Sequence, residues 1–242
     1  MKGTHFSACR LALLALITAQ YAFGLAHPPI EKRALPVLMG SAATFGAIAA
    51  SSLSSSGATA ITVDCGTCPG TSITGFPPGT ASGAKSAGGT IACNAEADCL
   101  TAYNNAAGLT PTTALGVSDL GGLTLPPGIY SFPTSWATLS TTLTLNGTAD
   151  PNGQFIFQIT TTYSTSSGSQ VLLINGAQAC NLYFKIGSSA TIISASALQG
   201  NYLAYTSITV GEGSSNQGTL CALNGAISLI DNALTAQTSC ST

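Results

Sequence analysis

From Leu123 to the C-terminus, apolar and hydroxyl-bearing residues alternate with a period of two in a series of short runs. In "TTLTLNG" the alternation places Leu143 and Leu145 inward and Thr142 and Thr144 outward. In "GQFIFQIT" Phe155, Phe157 and Ile159 take the inward side and Thr160 the outward, because successive side chains of a strand face opposite ways. "LTLPPGIY", "NLYFKIGSSATI", "GNYLAYTSITVGEG" and "GTLCALNGAISLIDNAL" continue the series. Asn-Gly recurs at 146–147, 152–153, 175–176 and 224–225, and each pair is a predicted corner or hairpin, since both residues tolerate positive φ. The uneven spacing of the runs predicts an irregular stack of rungs rather than a strict repeat. A β-sandwich is the competing architecture.

One segment changes period. Ala95, Cys99, Ala102, Tyr103 and Ala106 share a face at helical spacing, with Asn94 placed as N-cap, Glu96 and Asp98 in the first turn and Gly108 just past the end. Upstream, "VLMGSAATFGAIAASSLSSSGATAITV" is small and apolar and ends in strand-like alternation at Ile61 and Val63. "DCGTCPGTSITGFPPGTASGAKSAGG" then supplies turn residues.

The first residues form a different unit. Lys2 and Arg10, the apolar run from Leu11 to Leu25 and the small residues Gly24 and Ala26 predict a secretory signal peptide over residues 1–26. The dibasic pair Lys32-Arg33 closes a predicted propeptide over 27–33, which leaves one domain over 34–242 with no membrane span in the mature form. This trimming alters the charge balance. Both histidines and both arginines fall in the leader, and the remaining Lys85 and Lys185 stand against seven acidic residues, a net −5. Nucleic acid is an unsuitable partner for such a chain, because phosphate binding uses clustered Lys and Arg. Without a histidine there is no Ser-His-Asp triad. The acids Asp64, Glu96, Asp98, Asp119, Asp150, Glu212 and Asp231 are scattered, whereas glycoside hydrolysis needs two carboxylates held close together. The expectation is a protein that is not an enzyme and has no cofactor or metal.

Beyond Cys9, seven cysteines remain: Cys65, Cys68, Cys93, Cys99, Cys180, Cys221 and Cys240. In a secreted chain they read as disulfides with at least one thiol left over. Zinc binding or a redox role for Cys65-x-x-Cys68 is the lesser reading. Asn146-Gly147-Thr148 is the one N-glycosylation sequon. Trp136 reads as core or cap rather than as a platform for sugars.

The blocks "SITGFPPG", "DCLTAYNNAAG", "DLGGLTLPPGIYSF", "LTLNGTADPNGQFIFQI", "VLLINGAQACNLYFKIGSSATI", "GNYLAYTSITVGEG" and "GTLCALNGAISLIDN" resemble, in order, those of the secreted ice-binding (antifreeze) proteins of fungi, algae and bacteria. The resemblance covers nearly all of the predicted mature chain. It implies a mainly β fold, an irregular right-handed β-helix (β-solenoid) with one long α-helix packed alongside. It also implies a flat face that adsorbs to ice without any cofactor, and the chain is expected to be a monomer. "VDCGTCPG" departs from the family pattern by carrying cysteines.

In stacked parallel rungs, equivalent positions repeat at about 4.8 Å, comparable to oxygen spacings in ice. Rows of Thr could therefore order water through hydroxyls while methyls give apolar contact. The candidates are Thr142, Thr144, Thr160, Thr162, Thr191, Ser207, Thr209 and Ser228. Thr is also simply favoured on exposed strands, and sequence does not say which of these residues share a face. Lys185 and Glu212, being strongly hydrated, are expected off any such face. The alternative role is a non-catalytic protein of the cell wall or extracellular space that binds glycan.

Overall fold

The computed structural model describes residues 36–235 together with Gln237 and Cys240, so the predicted signal peptide and propeptide lie outside the described residues. The chain winds in coils, seven of which contribute one strand to each of three parallel sheets. The first coil is β1 (Phe45–Ala49), β2 (Ser52–Ser56) and β3 (Ala60–Ile61). The second is β4 (Asp64–Thr67), β5 (Ser72–Thr74) and β6 (Thr80–Ala81), followed by β7 (Lys85–Ala87). Helix α1 (Thr90–Gly108) interrupts the winding. It resumes with β8 (Thr113–Ala114), β9 (Thr124–Leu125), β10 (Gly128–Ser131), β11 (Ala137–Leu139) and β12 (Thr142–Asn146). Two full coils follow: β13 (Phe155–Ile159), β14 (Tyr163–Thr165) and β15 (Gln170–Ile174), then β16 (Leu182–Ile186), β17 (Ala190–Ile192) and β18 (Ala197–Gln199). The last two are β19 (Asn201–Ala204), β20 (Ile208–Val210) and β21 (Ser215–Gln217), then β22 (Leu220–Ala222), β23 (Ile227–Ile230) and β24 (Ala233–Thr235).

The order along the stack is not the order along the chain. The first sheet runs β7-β4-β1-β22-β19-β16-β13-β10-β8, so the first coil sits between the second coil and the last one. After β7 the chain must travel to the far end before winding back, and α1 makes that journey. Its 19 residues span about 28 Å at 1.5 Å per residue, which is about six rung spacings. This is the expected irregular β-helix with one helix alongside.

Inward side chains stack rung on rung. In the first sheet Tyr130, Phe157, Phe184 and Tyr202 are in register, with ring centroids 5.1, 4.9 and 4.5 Å apart and planes within 18° of parallel. The column continues as Leu220, Ala47 and Cys65. Leu143, Leu145, Phe155, Phe157 and Ile159 are all fully buried, as their alternation predicts. The turn between the second and third sheets is lined internally by Ser169, Ser196 and Ser214, whose hydroxyls bond one another or adjacent backbone, and by Asn232, which donates to Gly211 O at 2.8 Å. Such partners meet the requirement that buried polar groups be hydrogen-bonded.

Helix α1 lays Ala92, Ala95, Cys99, Ala102, Tyr103 and Ala106 against the outer side of the first sheet. It begins at Thr90 behind Gly89, four residues before the predicted Asn94 cap, which places Glu96 in the second turn and Asp98 in the third. Ile91 is exposed, so the first turn carries little of the apolar period that marks the rest. Disulfide Cys99–Cys221 ties α1 to β22, and Cys68–Cys93 ties its start to the end of β4. Asp98 accepts hydrogen bonds from the N–H and hydroxyl of Ser41, and Gln158 donates to the carbonyls of Ala106 and Leu109 at the helix end. Cys180–Cys240 is the third bridge, and Cys65 is the buried free thiol. Cys65 and Cys68 are therefore not partners. Of the four Asn-Gly pairs, Asn175-Gly176 alone has both residues at positive φ, 53° and 82°; the remaining corners are made in other ways.

Candidate functional site

The outer side of the second sheet, ordered β11-β14-β17-β20-β23-β2-β5, is where hydroxyls align. Five of these seven short strands bury both residues flanking one outward position: Ala137 and Leu139, Tyr163 and Thr165, Ala190 and Ile192, Ile208 and Val210, Ile227 and Leu229. The outward position pairs from rung to rung as Thr138, Ser164, Thr191, Thr209, Ser228, Ser54 and Thr74. These seven hydroxyls form one unbroken column, about 29 Å long at about 4.8 Å per rung.

A second column lies two residues back on each strand: Trp136, Thr162, Ser189, Ser207, Ala226, Ser52 and Ser72. Ladder bonds from Ala137 to Thr162, Tyr163 to Ser189, Ala190 to Ser207 and Ile208 to Ala226 keep it in register. The turn leading into the sheet is tight. A Cβ on Gly187 would fall 1.9 Å from Thr160 O, and one on Gly70 would fall 1.9 Å from Ser51 O, so glycine lets successive turns nest without splaying the rungs.

From β14 to β5 neither column contains an ionisable side chain. Lys185 lies on the first sheet with its Nζ 5.0 Å from the centre of the Tyr103 ring, where burial holds it below its ordinary pKa. Glu212 is exposed in the turn between β20 and β21. Other carboxylates bind turn backbone: Asp64 accepts from Ala84 N–H, Asp150 from Asn152 N–H and Asp231 from Ala58 N–H. Asp119 extends the central column by one bridge to Thr138. Burial pushes its carboxyl up, but hydrogen bonds from the Ser140 hydroxyl and the N–H groups of Gly121 and Ser140 outweigh this and hold it below its ordinary value. Among the described residues no cluster of His, Cys, Asp or Glu could hold a metal ion, and no helix is long and apolar enough to cross a membrane.

Thr191, Thr209 and Ser228 thus occupy the central column, and Thr162 and Ser207 the second. Thr160 stands exposed at the turn between the first and second sheets. Thr142 and Thr144 belong to the third sheet, ordered β6-β3-β24-β21-β18-β15-β12-β9. There the outward columns are broken: Thr142 is followed by Gln170 and Ala197, and Thr144 by Leu172. The Thr142 hydroxyl is also occupied, accepting a 2.8 Å bond from Gln170. Sequence reasoning missed Thr138, Ser164, Ser54, Thr74, Ser189, Ser52 and Ser72. The signal available for two rungs was the alternation in "SLS" and "SIT" around Leu53 and Ile73. Trp136 is 46% exposed at the outermost rung rather than buried in the core.

The sequence profile of the ice-binding-like family matches residues 47–235. The chain belongs to this family. Within it, an ice-binding protein of Nostoc sp. (strain HG1) is 41% identical over 219 residues, covering 90% of this chain and 80% of that protein. The solved ice-binding protein of the Antarctic ascomycete Antarctomyces psychrotrophicus superimposes with a TM-score of 0.80 at 38% identity, over 84% of this chain and all of the other. A third family member, the ice-binding protein of an Arctic yeast, gives 0.78 at 30% identity, over 87% and 98% of the two chains.

Proposed function

We propose that this protein is a secreted, monomeric, non-catalytic ice-binding protein that adsorbs to ice through the outer face of the second sheet and restrains ice growth and recrystallisation. The observation that carries the reading is the unbroken hydroxyl column from Thr138 to Thr74 on a face without charge between β14 and β5. Rigid parallel rungs fix the hydroxyl spacing before ice is met, so little ordering cost falls due on binding. Thr methyls remove apolar area from water while Ser and Thr hydroxyls anchor the interfacial water. A charged group would hold its own hydration shell and disrupt that layer.

Three disulfides and the apolar leader support an oxidising, extracellular destination. In this reading residues 1–26 are removed as a signal peptide and 27–33 as a propeptide. Asn146 lies at the end of β12 on the third sheet, where a glycan would leave the second sheet clear. The relatives' names lend no support to a wall-glycan role.

The test is to grow a single ice crystal in a solution of the fluorescently labelled mature chain, residues 34–242. Incorporation of the label into defined crystal planes is expected. Exclusion of the label from the ice, with no thermal hysteresis at high concentration, would overturn the proposal.

A further inference from the structure

We propose that Trp136 bounds the ice-contacting surface at its outer end, confining flat contact to the rungs from β14 to β5; this rests on the reading of the second sheet given above. Trp136 occupies the position filled on later rungs by Thr162, Ser189, Ser207, Ala226 and Ser52. Each of those is no larger than threonine, whereas the indole is 46% exposed and stands above a plane set by small side chains. Its backbone is pinned at the entry to β11: the Thr134 hydroxyl bonds Trp136 O at 2.6 Å and meets the Ser118 hydroxyl at 2.5 Å. A second break falls at the same end, where Asp119 aligns with Thr138 and sets a carboxylate beside the central column. The opposite end shows neither interruption, since β5 finishes both columns with Ser72 and Thr74.

The experiment compares thermal hysteresis of the mature chain with Trp136→Ser, Trp136→Thr and Trp136→Tyr, with Thr209→Tyr alongside. Threonine suits a strand, so the Thr variant guards against local misfolding of the Ser one, and circular dichroism confirms the fold of each. Removing the ring is expected to raise hysteresis at equal concentration by about 1.2-fold, from one rung added to six, and further if the indole tilts the contact. Trp136→Tyr keeps a large ring and is expected to match the parent. Equal or lower hysteresis in both small variants would overturn the boundary role, a fall marking Trp136 as a contact residue itself. Full activity in Thr209→Tyr would instead sink the assignment of the second sheet, and the boundary with it.

Discussion

Thr209 is the fourth of the seven central hydroxyls and the third of the six on the rungs from β14 to β5, so a protrusion there splits the contacting rungs into flanks of two and three. Its side chain is exposed while Ile208 and Val210 are buried; Thr209→Tyr therefore changes the surface and leaves the core intact. A tyrosine there holds the middle of the face off the ice. At most one flank of three rungs, about 10 Å of the column, can then touch a flat plane. Adsorption through less than half the original length should cut thermal hysteresis by well over half. Thr209→Ser supplies a graded counterpart: losing one methyl group forfeits about 0.8 kcal/mol of apolar burial, or about a four-fold weaker adsorption constant per molecule. Hysteresis would be read by nanolitre osmometry at matched concentration, with melting curves to confirm folding. Thr144→Tyr, on the third sheet, should behave like the parent. An inactive Thr144→Tyr beside a fully active Thr209→Tyr would refute the reasoning and move the contact to the third sheet.

Other expectations concern stability and modification. Glu96 Oε2 is buried without a partner, and burial pushes its carboxyl from 4.5 up to about 8. The folded state then holds this proton more tightly than the unfolded chain, so stability falls as pH rises from 4.5 to about 8. Glu96→Gln should stabilise by about 1–3 kcal/mol, or about 2–10 °C in Tm, at pH 9 and not at pH 4; an equal gain at both pH values would contradict the assignment. Cys99–Cys221 spans 122 residues and Cys68–Cys93 spans 25. The chain-entropy model puts their stabilisation at about 4.9 and 3.5 kcal/mol, so in urea melts the Ala pair at 99 and 221 should be the more destabilised. Asn146→Gln should remove any glycan, seen by mass spectrometry on secreted protein, and leave hysteresis unchanged.

The alternation in Leu143, Leu145, Phe155, Phe157 and Ile159 was enough to read the rungs, because burial on one side imposes period two on the residues themselves. It also gave inside from outside for Thr142 and Thr209 alike. What it could not give was the sheet. That depends on where each corner falls, and the corners are formed by nested glycines such as Gly187 and Gly70 and by internal serines such as Ser196, more than by Asn-Gly pairs. Thr142 and Thr209 therefore look equivalent in sequence and lie on different faces. Ser54 and Thr74 went unseen for another reason. Ser54 joins the column through Ser228, a long-range pairing set by the insertion of the first coil beside the last and without local signature, and Thr74 follows Ser54 on the next rung.

That insertion also governs how the protein can be made. Leu53 pairs with Ile227, so residues that leave the ribosome first must wait for nearly the whole chain before their second neighbour exists. Contacts of such sequence separation slow folding, and a nascent chain held open in this way remains threadable through a translocation channel. It also means that a product cut short before β23 does not present a merely shorter ice face. The column is interrupted between Thr209 and Ser54, in its middle, and only the arrival of the final coil joins its two halves.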